Sequence, residues 1–355
     1  MIYFTEEQKN ILHHANAQLK IKDDLSIEKN RTIFFIYSPP KVGSTSLVSS
    51  LRLSQANKVT VVHVHNEIML KILCNIENVT INDIIKYNKW LGKTVYVIDI
   101  YRTPIERKMS LFFQDVSVFH FNTSVENLSK YKIERIISRF NNIFLHIGNE
   151  DYYREVYDIS YSDCFPFSEK YAVTEKNEIK YIKLRLNDSH EWRFMLKQIT
   201  GLDVMIVKDY ETEKKGIGSI YKKFKEVYKI PPYLLEKVKS DNSLNYYLTQ
   251  TEVSSYIDRW SQNSGCSCSS SCRCVGYSQN DYNLYMKISG ENACMLYIEK
   301  VTDHYLDVGC VCVGCSRKRD LVVDSGVISR VMHEDRRLFL IKKEKKRVIN
   351  MRLAK

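Results

Sequence analysis

Glycine and proline are scarce in this chain, 12 and 6 of 355 residues. With so thin a supply of breakers, long disordered linkers are not indicated. Long apolar runs are missing too. None reaches the ~18 residues that a membrane-crossing helix requires, which argues against a transmembrane segment. The first seven residues, Met-Ile-Tyr-Phe-Thr-Glu-Glu, lack a basic-then-apolar leader, so a cytoplasmic location is the expectation. Aromatic interleaving is nearly absent from the basic C-terminal end, where residues 330–355 set ten Lys or Arg against Glu334, Asp335 and Glu344. Without rings to stack bases, nucleic acid is not indicated as a partner. That end, which holds most of the chain's net charge of +11, reads as a solvated charged hairpin or as a patch for an anionic polymer or surface.

What the chain does have is enough apolar residue, 44%, for a substantial core, with 27% charged. Its length fits one large α/β domain of roughly 250 residues and a smaller appendage. The boundaries expected are 1–30 for an N-terminal helical segment with Ile11, Leu12 and Leu19 on one side, 31–262 for the α/β domain, and 263–355 for a Cys-rich and basic C-terminal region.

The most informative stretch is Ile33-Phe34-Phe35-Ile36-Tyr37-Ser38-Pro39-Pro40-Lys41-Val42-Gly43-Ser44-Thr45-Ser46-Leu47. An apolar strand runs into a tight turn, and a helix opens at Ser44 with Leu47, Val48 and Leu51 on its inner face. Such a helix start is an anion site, because free amides and the positive end of the dipole converge there. Lys41 adds a mobile charge; Ser44, Thr45 and Ser46 add hydroxyl donors. In a triphosphatase loop, lysine directly follows the second glycine. Here Lys41 precedes Gly43, so nucleotide hydrolysis fits poorly.

A second strand–helix element follows. Residues 94–101, Thr-Val-Tyr-Val-Ile-Asp-Ile-Tyr, form a buried strand that ends at Arg102. Thr103 and Pro104 then open a helix burying Ile105, Met109, Phe112 and Phe113. Ser110 stands eight positions after Arg102.

These two elements resemble the 5′-phosphosulfate loop and the 3′-phosphate element of sulfotransferases that use 3′-phosphoadenosine-5′-phosphosulfate (PAPS). The resemblance covers residues 30–260. It implies a three-layer parallel α/β sheet of the P-loop type, with Lys41, Val42, Gly43, Ser44, Thr45 and Ser46 on the phosphosulfate. Arg102 and Ser110 would take the 3′-phosphate, for which a guanidinium fork is well suited. The reaction implied is in-line transfer of a sulfuryl group from PAPS to a hydroxyl. A later segment, Lys214-Lys215-Gly216-Ile217-Gly218, only weakly echoes the family's basic glycine loop. It is one residue short and lacks the arginine, so an amphipathic helix start is the better reading. Lys183-Leu184-Arg185, Trp192, Asp209-Tyr210 and Ile230-Pro231 extend the likeness toward sulfotransferase-like proteins of capsular polysaccharide synthesis. That likeness implies a glycan acceptor. Lys183 and Arg185 would then bind an anionic saccharide or line the donor pocket; the alternative is an edge strand with its charges in solvent.

The acceptor oxygen has to lose its proton, so a base is required. Between the two elements lie Val59-Thr60-Val61-Val62-His63-Val64-His65-Asn66-Glu67. This reads as a strand ending in polar groups, where open α/β sheets form their sites. His65 is the favoured base, with His63 and Glu67 as reserves. Further on, residues 181–186 and 204–207 read as two more short strands.

Eight of the ten cysteines fall in the last quarter. Cys266, Cys268, Cys272 and Cys274 form one cluster; Cys310, Cys312 and Cys315 form a second. Dense thiolates can hold a structural zinc, but only Cys312 to Cys315 has the usual Cys-x-x-Cys spacing. Disulfides and reduced thiols stay open as alternatives. Two other functional classes also remain at this point: a P-loop-type nucleotide phosphotransferase, and a non-catalytic binding or assembly protein that keeps the fold.

Overall fold

In the computed structural model, which describes residues 3–121, 123–209, 212–265 and 276–295, the apolar β-branched runs become strands of one sheet. Strands β1 (Thr32–Tyr37), β2 (Thr60–Val64), β3 (Thr94–Tyr101), β4 (Tyr171–Lys176) and β5 (Ile179–Arg185) lie in the order β2-β1-β3-β5-β4. β1 pairs in parallel with β2 and β3, and β3 in parallel with β5. β4 departs from the wholly parallel expectation, since it pairs antiparallel with β5. The two are joined through Asn177 and Glu178, at φ 52° and 58°. Positive φ at both central residues is what a two-residue hairpin turn requires.

The chain forms two compact units. The first comprises Met1–Arg107, Gly148–Glu211 and Ser240–Ser255 and contains the whole sheet. Its helices include α1 (Glu6–Gln18), α2 (Ser44–Ser54), α3 (Glu67–Cys74) and α4 (Ile81–Trp90). Helix α5 (Pro104–Phe112) begins in this unit, and α6 (Trp192–Thr200) follows β5. α1 starts on a capping box between Thr5 and Gln8; its buried residues are Leu12, Ala15 and Asn16, while Ile11 is exposed.

Alternation along the strands decides the layers. Phe34, Ile36, Ile98, Ile100, Ile182 and Leu184 pack with Leu47, Val48 and Leu51 of α2 and with Trp192, Met195 and Leu196 of α6. The Trp192 indole N–H donates to the Arg185 carbonyl at 3.1 Å, so its polar end is satisfied. The intervening residues Ile33, Phe35, Val95 and Val97 are equally buried, and α4 packs on β3. A sheet buried on both faces explains why β1 and β3 are near-continuous apolar runs. Truncating a central contact such as Leu47 to alanine costs about 2–5 kcal/mol.

The second unit comprises the described residues of Lys108–Ile147, Thr212–Lys239 and those from Tyr256 onward. Here helix Ile133–Ile143 buries Ile136, Ile137, Phe140 and Ile143, and helix Gly218–Val227 buries Ile220, Tyr221 and Phe224. Phe140 and Phe224 meet edge to face at 5.4 Å. Gly218 begins a helix, as read from the sequence. A Cβ there would meet the Glu213 carbonyl oxygen at 2.0 Å, so only glycine fits. Among the described residues, no helix is long and apolar enough to cross a membrane.

Candidate anion-binding site

Between β1 and α2 the chain makes the turn read from the sequence. Val42 is buried at its centre. Lys41 and Gly43 both take positive φ, 68° and 97°, and Gly43 caps α2. A Cβ on Gly43 would lie 2.6 Å from Leu186 Cδ1, so both conformation and space demand glycine. A lysine held in the left-handed region is strained by about 1 kcal/mol or more, a cost met most often at functional loops. The amides of Ser44 and Thr45, which open α2, have no carbonyl one turn back within the helix to bond, whereas the Ser46 amide already donates to the Gly43 carbonyl at 3.1 Å.

Arg102, at the end of β3, donates from Nη1 to the Lys41 carbonyl at 2.8 Å. The structure thus joins the two motifs at the loop, across 61 positions of sequence. Ser110 is buried on the portion of α5 that belongs to the second unit.

The three base candidates separate by their partners. His65 Nδ1 lies 2.9 Å from the Ser38 carbonyl. A carbonyl only accepts, so in the neutral ring Nδ1 carries the hydrogen and Nε2 holds the basic lone pair. His63 Nε2 lies 3.1 Å from Ser44 Oγ, and its ring meets that of His65 edge to face at 4.5 Å. Glu67 is the first residue of α3. Its carboxylate accepts from the Ile81 amide at 3.1 and 3.2 Å and from the Tyr37 hydroxyl at 3.3 Å. Burial pushes the Glu67 carboxyl above its usual range, with those two hydrogen bonds working against it. Burial and the neighbouring Glu67 charge push the Tyr37 phenol upward. Glu67 therefore fastens the start of α4 to β1.

Ser46 has a defined role as well. Its hydroxyl donates to the Asp209 carbonyl at 3.0 Å and accepts from the Asp209 amide at 3.1 Å.

Sequence reasoning missed a buried charge cluster on the other face of the sheet. Asp99 on β3 and Lys183 on β5 are register partners, and their side chains meet at 2.7 Å. Lys183 also reaches Asp151 Oδ1 at 2.8 Å, and Tyr247 donates to the second Asp151 oxygen at 2.6 Å. Burial raises the Asp99 carboxyl while Lys183 pulls it down, and the net direction is upward. Arg185 is buried too, held by Asp188 at 2.5 Å and Glu252 at 2.9 Å. The solvent-facing edge does not fit these two residues, because β5 is an inner strand and both cations are buried and ion-paired. The available signal was a charged residue inside each of two buried strands, which must be paired to be tolerated. Lys183, Arg102, Arg107, Asp151, Asp241 and Ser243 line a narrow cleft within the first unit. Arg107 in turn pairs with Glu150 at 2.6 Å.

Cys74 is buried and Cys164 exposed. Among the described residues, no three metal-ligating side chains converge. The clusters Cys266–Cys274 and Cys310–Cys315, and the basic C-terminal end, lie outside the described residues. Compared with known proteins, the chain matches no family model, no curated protein and no solved structure.

Proposed function

We propose that this chain is a PAPS-dependent sulfotransferase acting on a hydroxyl acceptor, a carbohydrate hydroxyl. The observation that carries the reading is the Arg102–Lys41 contact at 2.8 Å, which sets a guanidinium beside the loop that opens α2. Lys41, the amides of residues 42–45 and the hydroxyls of Ser44 and Thr45 would hold the phosphosulfate; Arg102 is assigned to the 3′-phosphate. The part given to Ser110 rests on its spacing in the sequence. When bound, PAPS supplies an activated sulfuryl group with a phosphate leaving group. His65 Nε2 would take the acceptor proton, and Lys41 would offset the charge that builds on the leaving phosphate. Catalysis on this account is positioning plus electrostatic stabilisation. The three-layer, P-loop-type topology of that family is part of the same proposal.

A nucleotide phosphotransferase is less well supported. It calls for an acid that holds Mg²⁺ near the loop, and the acid on β3, Asp99, is bound to Lys183. Calorimetry with 3′,5′-adenosine bisphosphate, and ATP as control, tests the choice. Micromolar affinity, about −8 kcal/mol, is expected for the wild type. Arg102→Ala should weaken it roughly 10- to 100-fold, the loss of a charged hydrogen bond. No binding, or equal preference for ATP with Mg²⁺, overturns the reading.

A further inference from the structure

Residues 203–209 are extended but join no strand of the sheet. They run along α2, held by serines. The amides of Met205, Val207 and Asp209 donate to the hydroxyls of Ser54, Ser50 and Ser46 at 2.8, 2.9 and 3.1 Å. The match is geometric. Every second residue of an extended chain advances about 6.6 Å, and every fourth residue of a helix about 6 Å. Gln55 Nε2 adds a bond to the Asp203 carbonyl at 2.6 Å, and Ser49 Oγ one to Asp209 Oδ2 at 2.6 Å. Apolar anchoring is slight. Val204 is fully buried, Leu202 and Ile206 only partly, and Met205 is 66% exposed.

The bond between Ser46 and Asp209 falls at the anion loop itself. Ser46 belongs to the first turn of α2, where its hydroxyl proton could serve an anion, yet it is given to the Asp209 carbonyl. One hydroxyl proton cannot serve both acceptors. Asp209 also brings a carboxylate onto α2 through Ser49, one turn from Ser46. We infer that residues 203–209 are a releasable strap, which when docked withholds Ser46 from the anion loop and when released frees it. The inference rests on the proposed function for the identity of the anion, but not for the competition.

Linkage makes this testable. If an anion and the strap compete for Ser46, each weakens the other by the same factor. A binding-competent state that is only partly populated also lowers apparent affinity in proportion. Ser54→Ala removes a strap bond about two helical turns from the loop, and Ser50→Ala is an independent second variant. Each should raise the affinity for 3′,5′-adenosine bisphosphate roughly two- to tenfold, the worth of one neutral hydrogen bond. Hydrogen exchange on the full chain should show the amides of Met205, Val207 and Asp209 exchanging faster when ligand saturates the protein. Unchanged affinity in both variants, or slower exchange on binding, overturns the strap. Inorganic pyrophosphate is the second probe. If it binds and frees the strap while the nucleotide does not bind, the donor assignment falls and the strap stands. If neither probe binds, both fall.

Discussion

His65 Nδ1 meets the Ser38 carbonyl at 2.9 Å, a contact that turns the basic nitrogen, Nε2, away from the end of β1. Its neighbour His63 instead spends Nε2 on Ser44 Oγ at 3.1 Å. The two histidines should therefore fail differently. His65→Ala is expected to lower sulfuryl transfer by roughly 10²–10⁴-fold, the usual worth of a general base, with 3′,5′-adenosine bisphosphate binding kept. His63→Ala should weaken binding as well, because the Ser44 hydroxyl loses its orienting partner. Steady-state rates beside calorimetry check this. Full transfer activity in His65→Ala would remove it as the base.

Gly43 offers a test that needs no substrate. Alanine there would adopt φ 97° with its Cβ 2.6 Å from Leu186 Cδ1. The left-handed conformation costs about 1–2 kcal/mol, and displacing Leu186 adds to it. Gly43→Ala should lose roughly 2–4 kcal/mol in urea unfolding, taking the strain together with the packing cost. Adding Leu186→Ala should not restore the backbone part. A stability equal to wild type would mean that the turn tolerates other conformations.

How far the sequence carried depended on the range of the interactions. The turn at Lys41–Gly43 and the helix after Arg102 are local, and their residues announce them: a glycine where φ is positive, a proline at a helix start. The Asp99–Lys183 pair was not legible, because the register between β3 and β5 makes the two neighbours across 84 positions of sequence. The antiparallel edge β4 was missed because its outer residues are mixed in character, Glu175 and Lys176 among them. Residues 204–207 look like a strand by composition, yet their partner is a row of serines on α2. A stripe of hydroxyls at four-residue spacing gives no sign of which segment it will hold.

Lys183 carries the buried cluster, and removing it leaves two carboxylates facing each other in the interior. Lys183→Met should cost about 3–5 kcal/mol, as for other broken buried pairs. The pH dependence has a definite sign. A carboxyl whose folded pKa is raised, as burial raises Asp99, binds its proton more readily folded than unfolded. Stability is then favoured at low pH and lost as pH rises through that window. Without Lys183 the rise is larger, so the gap between Lys183→Met and wild type should narrow toward pH 4–5. Urea unfolding at pH 5 and pH 7.5 decides; a gap independent of pH contradicts the argument.

His120, in the second unit, titrates in the opposite sense. Its Nδ1 bonds the Tyr285 hydroxyl, its carbonyl accepts from Arg139 Nη1 at 2.6 Å, and its ring stacks on Phe112 at 4.7 Å. Burial, and then the Arg139 charge, push its pKa down to about 3 from 6.5. Between those two values the unfolded chain takes up a proton that the folded ring refuses. The contribution of His120 is complete above about pH 6.5 and is lost as pH falls. One proton corresponds to about 1.4 kcal/mol per pH unit through that window. His120→Gln keeps a polar side chain beside Tyr285 but cannot titrate. Its stability at pH 7 should be lower, from the lost stacking, while its slope between pH 6 and pH 4 should be flatter by close to one proton. Unfolding free energies measured at half-unit steps for both proteins give the two slopes directly. Parallel curves would show that His120 is protonated in the folded unit, with the Tyr285 contact arranged otherwise.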